Sequence, residues 1–315
     1  MSPRVLVGSR SFGQTFPEHL DALRDAGLEV VPNDAGRAYR ADELLELLPG
    51  MDGIVTGTDE LTAEVIAAAP RLKVIAKHGV GLDNVDLAAA ERHGVRVQAT
   101  AGAMHDSVAD LALALVLALA RGVVAAHADV AAGGWHPTTG IELRGRTMGI
   151  VGIGRIGREV ARRAQAFGLR TCAHDPYPDE AWARAHDVEL CGLDELLARS
   201  DIVSLHAPGG GGGPLLDAGR LARMKAGALL VNTSRGSLVD EAALAVALEE
   251  GRLGGAGLDV FAAEPPGDSP LLGRADVVLT PHVGGRTREA QQRMGEMCVR
   301  TCLEALAPDA AGRGA

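Results

Sequence analysis

The chain has few aromatic residues, few lysines, few cysteines and no long apolar run, and each shortage removes a class of protein. Aromatics are 3% of its 315 residues, so the core must be built mostly from Ala, Val and Leu. Lysine occurs only at Lys73, Lys77 and Lys225, and 31 basic against 41 acidic residues leave a net charge of −10. No basic stripe is available to neutralise phosphates, which argues against a nucleic-acid partner. The four cysteines form neither a disulfide framework nor a zinc-type pair of pairs, so reduced core thiols and no metal site are expected. The most apolar segment, Leu111–Ala120, is too short to span a bilayer, and the start MSPRVLVGSR lacks the apolar region of a signal peptide. No membrane partner and a cytoplasmic location are expected. What remains is a globular composition, 47% apolar and 23% charged, at a length that suits two domains.

The stretch Thr147–Asp175 organises the rest. The apolar run Met148–Val151 reads as a buried parallel strand and leads into Gly152-Ile153-Gly154-Arg155-Ile156-Gly157, a GxGxxG turn. Gly152 permits the tight turn, Gly154 lets a pyrophosphate approach the backbone, and Gly157 lets the next helix sit against the sheet. That helix is expected from about Arg155, with its free amides and positive dipole end toward the phosphates. A second strand, Arg170–Ala173, ends in His174-Asp175, where a carboxylate can accept from an adenosine ribose and repel a 2′-phosphate. Arg155 and Arg158 are expected away from that second strand. Strand, turn, helix, strand and acid in this order point to NAD.

Before this unit, Val5–Val7, Leu28–Val31, Gly53–Val55, Lys73–Ala76 and Val95–Val97 read as strands that alternate with helical stretches. After it, Asp201–His206, Ala228–Asn232, Gly257–Val260 and Val277–Leu279 do the same. Repeated β-α-β units imply parallel sheets with helices on both faces. Gln98–Met104 reads as a crossing between domains, and Ser107–Arg121 as a long helix apolar on most of its circumference, buried internally or against a partner subunit. Ala125–Arg146 reads as poorly periodic and arm-like. Thr287–Leu306 reads as a last helix and Pro308–Ala315 as a frayed tail. Gly209–Gly213, five glycines after His206-Ala207-Pro208, give a flexible loop suited to a cofactor lid or adenine wall.

Three polar residues follow successive strands of the second half. They are Arg235 in VNTSRG, Glu264 in LDVFAAEPP and His282 in LTPHVGG. Hydride exchange between an alcohol carbon and a nicotinamide needs a group that handles the hydroxyl proton, and histidine suits it. A neighbouring carboxylate favours and orients the imidazolium, and an arginine fork matches a substrate carboxylate. On the first half, the turn Lys77-His78-Gly79-Val80-Gly81 follows the fourth strand at the carboxyl edge, where open α/β sheets bind ligands.

These motifs together resemble the D-isomer-specific 2-hydroxyacid dehydrogenase family, and within it the phosphoglycerate-dehydrogenase-like branch. GVGLDNVD, SVADLAL, GIVGIGRIGREVA, LVNTSRGSLVDE, GLDVFAAEPP and LTPHVGG follow the family's order and spacing over about residues 50 to 300. The resemblance implies two Rossmann-like or flavodoxin-like α/β domains with parallel sheets. The substrate domain, 1–98 plus 286–315, would be split by a cofactor domain over 99–285. It implies that Arg235 binds the substrate carboxylate, that His282 is the acid/base with Glu264 as its partner, and that Asp259 contacts the nicotinamide amide. Gly152, Gly154, Arg155, Ile156, Gly157, Asp175, His206, Ala207, Pro208, Thr233, Ser234, Asp259 and Gly284 are the expected NAD contacts. Lys77, His78, Gly79, Val80 and Gly81, with Arg235 and His282, are the expected substrate contacts. A homodimer through the long helix and arm is also implied. Two departures stand out: the glycine run at 209–213, and Thr56 where the resemblance to true phosphoglycerate dehydrogenases implies a phosphate-binding arginine after the third strand, while Lys77 is retained at the other such position. Lys77 therefore becomes the expected ligand of a second anionic group, with His78 and His105 adding positive or hydrogen-bonding character. The expected activity is an NAD-dependent interconversion of a small, anionic D-2-hydroxy acid and its 2-oxo acid. An NAD(H)-sensing, corepressor-like binding protein is the alternative.

Overall fold

The computed structural model describes residues 2–210 and 212–306; the tail expected over 308–315 and Gly211 of the glycine run lie outside them. The chain divides into two compact units, one of residues up to Met104 and from Gly285 onward, the other His105–Gly284.

In the first unit, β1 (Arg4–Val7), α1 (Glu18–Asp25), β2 (Glu29–Val31), α2 (Ala41–Leu47), β3 (Gly53–Thr56), α3 (Ala63–Ala67), β4 (Val74–Lys77), α4 (Leu87–Arg92) and β5 (Arg96–Ala99) alternate. The strands pair in parallel in the order β2-β1-β3-β4-β5. Because side chains alternate along a strand, Leu6, Ile54 and Ile75 enter one core with Leu44 and Leu48, while Val5, Val55 and Val74 enter another with Leu23. The second core is closed by the chain's last helix, whose Cys298 and Cys302 are buried and free as expected.

The second unit opens with α5 (His105–Arg121) and α6 (Val123–Ala131). It continues through β6 (Thr147–Val151), α7 (Arg155–Ala166), β7 (Arg170–His174), α8 (Glu180–Ala185), β8 (Val188–Leu190), α9 (Leu193–Arg199), β9 (Ile202–Leu205), α10 (Ala218–Arg223), β10 (Ala228–Asn232), α11 (Glu241–Glu249), β11 (Leu253–Leu258) and β12 (Val277–Leu279). Helix α12 (Arg288–Leu306) then returns to the first unit. The seven strands are parallel in the order β12-β11-β10-β9-β6-β7-β8. The expected fold class, α/β with two parallel sheets, is borne out. Asp179, Asp217 and Asp240 start α8, α10 and α11 by accepting amides three residues on.

Three local expectations are corrected. The stretch read as arm-like contains α6, whose Ala- and Val-rich sequence has no polar stripe by which to recognise a face. The strand expected at Gly257–Val260 begins at Leu253 and ends at Leu258, because glycines at 254, 255 and 257 mask its pattern. A Cβ on Gly257 would lie 3.0 Å from Leu115 Cβ, so glycine there lets α5 lie close on β11. The short α8 and β8 were not expected. Helix α5 packs on α7, β10, β11 and β12, burying Val108, Ala112, Leu115 and Val116. Among the described residues no single helix is long and apolar enough to cross a membrane; α5 and α6 reach that length only together, across a 63° bend.

Candidate active site

The glycine turn is built as its sequence requires. Gly152 adopts φ 93°, and a Cβ there would lie 2.6 Å from His206 O. A Cβ on Gly157 would strike Gly152 O, so α7 sits on the turn only because that residue is glycine. Gly154 has open space where its Cβ would point and caps α7 without a side chain, leaving the first-turn amides of a twelve-residue helix for a ligand. Asp175 closes the loop: Oδ2 accepts from Ile153 N at 2.9 Å and Oδ1 from Tyr177 N at 2.9 Å. Each oxygen keeps a further lone pair. Arg158, expected away from the second strand, instead reaches the segment after β7, where it donates to Asp179 at 3.0 Å and lies 4.8 Å from the Trp182 ring centre. Arg155 is exposed beside Gly154, and Ile156 is half-buried.

Two other expected cofactor positions carry orphan polar atoms. His206, directly after β9, has Nε2 2.7 Å from Ser204 Oγ, but its buried Nδ1 meets no partner among the described residues. Burial lowers its pKa to about 3, so the ring is neutral. The buried Thr233 Oγ1 is likewise unpartnered. Ser234 donates its hydroxyl and amide to Asn232 Oδ1 at 3.0 and 3.1 Å. Ala207 is half-buried and Pro208 exposed at the start of the glycine run. A phosphate-facing helix end, a carboxylate with spare acceptor capacity and two orphan polar atoms fit a dinucleotide.

Arg235, Asp259, Glu264 and His282 follow the carboxyl ends of the adjacent strands β10, β11 and β12. Asn232 Nδ2 donates to Arg235 O at 2.8 Å, fixing the backbone from which the guanidinium extends. The buried Asp259 accepts from Thr280 Oγ1 at 2.6 Å, Val283 N at 2.8 Å and Gly284 N at 2.8 Å. It thereby grips the His282 turn from both sides, and His282 takes φ 52° within it. Thr280 and Asn232 were not among the expected residues, although each lies within two or three positions of one that was.

His282 Nδ1 donates to Glu264 Oε2 at 2.7 Å. That hydrogen bond, opposed by burial and reinforced by the charges of Glu264 and Asp259, raises the histidine pKa. Burial works to raise Glu264, but the His282 hydrogen bond and charge outweigh it, with smaller help from the Phe261 amide and Arg235, and the net shift is downward. The pair thus favours imidazolium and carboxylate, with Nδ1 committed to Glu264.

In the first unit the expected substrate turn divides. Gly79 N donates to Thr100 Oγ1 at 3.1 Å, while the amides of Val80 and Gly81 meet no acceptor among the described residues. Lys77 is 5% exposed, and its ammonium donates to Gly57 O and, at 2.7 Å, to Asn84 Oδ1, joining the loops after β3 and β4. For His78, burial, then the charges of His19, Arg286 and Lys77, lower the pKa to about 4, which favours the neutral ring. Its Nδ1 lies 3.3 and 3.1 Å from the hydroxyls of Ser9 and Ser11. Thr56 is fully buried and donates to Asp59 Oδ2 at 2.7 Å.

Comparison with known proteins agrees with the second unit's design. Residues 113–284 match the family profile described as D-isomer specific 2-hydroxyacid dehydrogenase, NAD binding domain. A D-3-phosphoglycerate dehydrogenase of Mycobacterium tuberculosis is 46% identical over 285 residues, covering 87% of this chain but 53% of the relative. The chain thus spans about half the length of the mycobacterial relatives it matches. A glyoxylate reductase of Korarchaeum cryptofilum is 44% identical over 96% of this chain and 92% of its own. The crystal structure of D-lactate dehydrogenase from Aquifex aeolicus, complexed with NAD and lactic acid, superposes with a TM-score of 0.86 at 28% identity, covering 98% of this chain and 97% of that one. With the glycine turn, the acid after β7 and the His282–Glu264 pair on matching ground, the chain belongs to the D-isomer-specific 2-hydroxyacid dehydrogenase family and carries its NAD-binding domain.

Proposed function

We propose that this protein interconverts a small D-2-hydroxy acid and its 2-oxo acid. The observation that carries the reading is His282 Nδ1 held on Glu264 Oε2 at 2.7 Å, with Arg235 following the strand beside the one that leads to Glu264. NAD, when bound, supplies the hydride acceptor or donor. With Nδ1 committed to Glu264, His282 presents Nε2 to the substrate oxygen, giving a proton during reduction and taking one during oxidation. Arg235 pairs with the substrate carboxylate and polarises the neighbouring carbonyl. Asp259 positions the His282 turn and keeps acceptor capacity for the nicotinamide amide. Val80 and Gly81 offer their unpaired amides to the substrate. Gly152, Gly154 and Gly157, with Arg155 and Ile156, cradle the pyrophosphate, and Asp175 takes the ribose.

Phospho-, phosphono- and dicarboxylic acids remain the candidate substrates, and relatives named D-3-phosphoglycerate dehydrogenase support an acid of that class. The protein acts as a homodimer in the cytoplasm: α6 buries none of its residues although Val123, Val124 and Val130 are exposed, leaving an apolar face for a second copy. NADH oxidation with a panel of 2-oxo acids tests the activity. Turnover of none of them, or near-native turnover by His282→Ala, would remove this reading.

A further inference from the structure

With Lys77 turned inward, any second anionic group on the substrate needs other cations. The first unit offers them at the carboxyl ends of β1 and β2. In the order β2-β1-β3-β4-β5 the switch point lies between β1 and β3, so a site beside β2 rests on the more general tendency of open parallel sheets to bind ligands outside the carboxyl ends of their strands. There a cavity of about 460 Å³ is lined by residues including Ser9, Arg10, Phe12, Gln14, Asn33 and Arg286. Its lining contains two arginines and no carboxylate, on a chain whose net charge is −10. Arg10 is exposed and makes no ion pair among the described residues; Arg286 makes only a 3.4 Å contact with Gln14 Oε1. Among the described residues no carboxylate neutralises either guanidinium.

The cavity adjoins the expected substrate turn. Ser9, 4% exposed, lines it and lies 3.3 Å from His78 Nδ1, directly before Gly79-Val80-Gly81. Its remaining wall is apolar, with Val7, Phe12 and Leu20. A short carbon chain fits that wall, and an acidic terminus fits the two guanidinium groups.

We infer that this cavity is the subsite for the second acidic group of the substrate, with Arg10 and Arg286 as the selecting cations. The inference rests on the proposed 2-oxo acid reaction and names its substrate class: acids that carry a terminal carboxylate or phosphate. Because both arginines are exposed, the selectivity should weaken with added salt.

The test uses matched pairs of 2-oxo acids, oxaloacetate against 2-oxobutyrate and phosphohydroxypyruvate against hydroxypyruvate, in NADH-dependent reduction. The wild-type protein should favour the anionic member of each pair. Arg10→Gln and Arg286→Gln should each lower that ratio of kcat/KM on the order of tenfold, chiefly through KM, as expected for loss of one charge-assisted hydrogen bond. Arg10→Lys should keep most of the preference. A wild-type preference for the neutral-tailed acids, or a ratio unmoved in both glutamine variants, would overturn the subsite. Should no 2-oxo acid turn over, the reaction reading fails, and the subsite is still decided by calorimetric titration with inorganic phosphate. Binding lost in the Arg10→Gln/Arg286→Gln double variant would support it, and equal binding would refute it.

Discussion

Asp175 Oδ2 accepts the amide of Ile153 at 2.9 Å, so the acid after β7 also ties down the glycine turn between β6 and α7. Cofactor choice and loop order therefore share one side chain. Asp175→Ala should weaken NADH binding on the order of tenfold and narrow the preference for NADH over NADPH, since it removes both an acceptor and a repelling charge. Fluorescence titration with each cofactor reads both effects. Binding of NADH at wild-type strength would remove both roles. Arg158 should not confer NADPH use by itself, because Asp179 already holds its guanidinium at 3.0 Å.

The coupling of His282 to Glu264 makes a directional pH prediction. The raised pKa of His282 keeps it protonated past the ordinary imidazole value of about 6.5. Reduction should therefore decline only as pH rises through that raised value, and oxidation, which needs the neutral ring, should gain over the same range. Glu264→Gln removes the largest cause of the shift, so both limbs should move to lower pH while NADH binding stays close to wild type. Profiles of kcat/KM in both directions measure this; unmoved limbs would assign the titration to another group. The pair's contribution to stability follows the same signs. It falls as pH rises through the folded pKa of His282, and it falls as pH drops through the lowered pKa of Glu264.

How much of this could be read in the sequence depended on whether the signal was local. Strand β6, the glycine turn, α7 and Asp175 are consecutive, so each glycine's steric reason could be named before the fold was known. Arg235, Glu264 and His282 each end a short motif beside a strand, and their adjacency followed from parallel order. By contrast, the inward course of Lys77 depends on Gly57 and Asn84, which are twenty and seven residues away and meet it only when β3 and β4 pair. Helix α6 is not legible in the sequence because helical periodicity needs a polar face, and VVAAHADVA has almost none.

That same composition predicts an interface. Val123, Val124 and Val130 are 54%, 50% and 55% exposed, and Trp135 is 84% exposed. If a second copy covers them, light scattering should give a dimer mass, and Val123→Glu with Val130→Glu should give a monomer. An unchanged mass would place the interface elsewhere or remove it.

Lys77 supplies the sharpest separation of structure from selectivity. Its ammonium, on a residue 5% exposed, holds Gly57 O and Asn84 Oδ1, while Asn84 Nδ2 donates to Asp59 O at 2.6 Å and Thr56 donates to Asp59 Oδ2 at 2.7 Å. The loops after β3 and β4 are thereby joined through one cation and one amide. Lys77→Met preserves the apolar stem but takes the ammonium donor from two half-buried acceptors, Asn84 Oδ1 and Gly57 O, of which the second keeps only a 3.4 Å contact with Asn84 Nδ2, a loss on the order of 1 kcal/mol for each. The urea midpoint of the variant should fall, with the first unit losing its structure earlier. The preference between anionic and neutral-tailed 2-oxo acids should survive in whatever fraction remains folded, because no substrate contact has been removed. A variant as stable as wild type that has lost the preference would return Lys77 to the substrate and refute its bracing role.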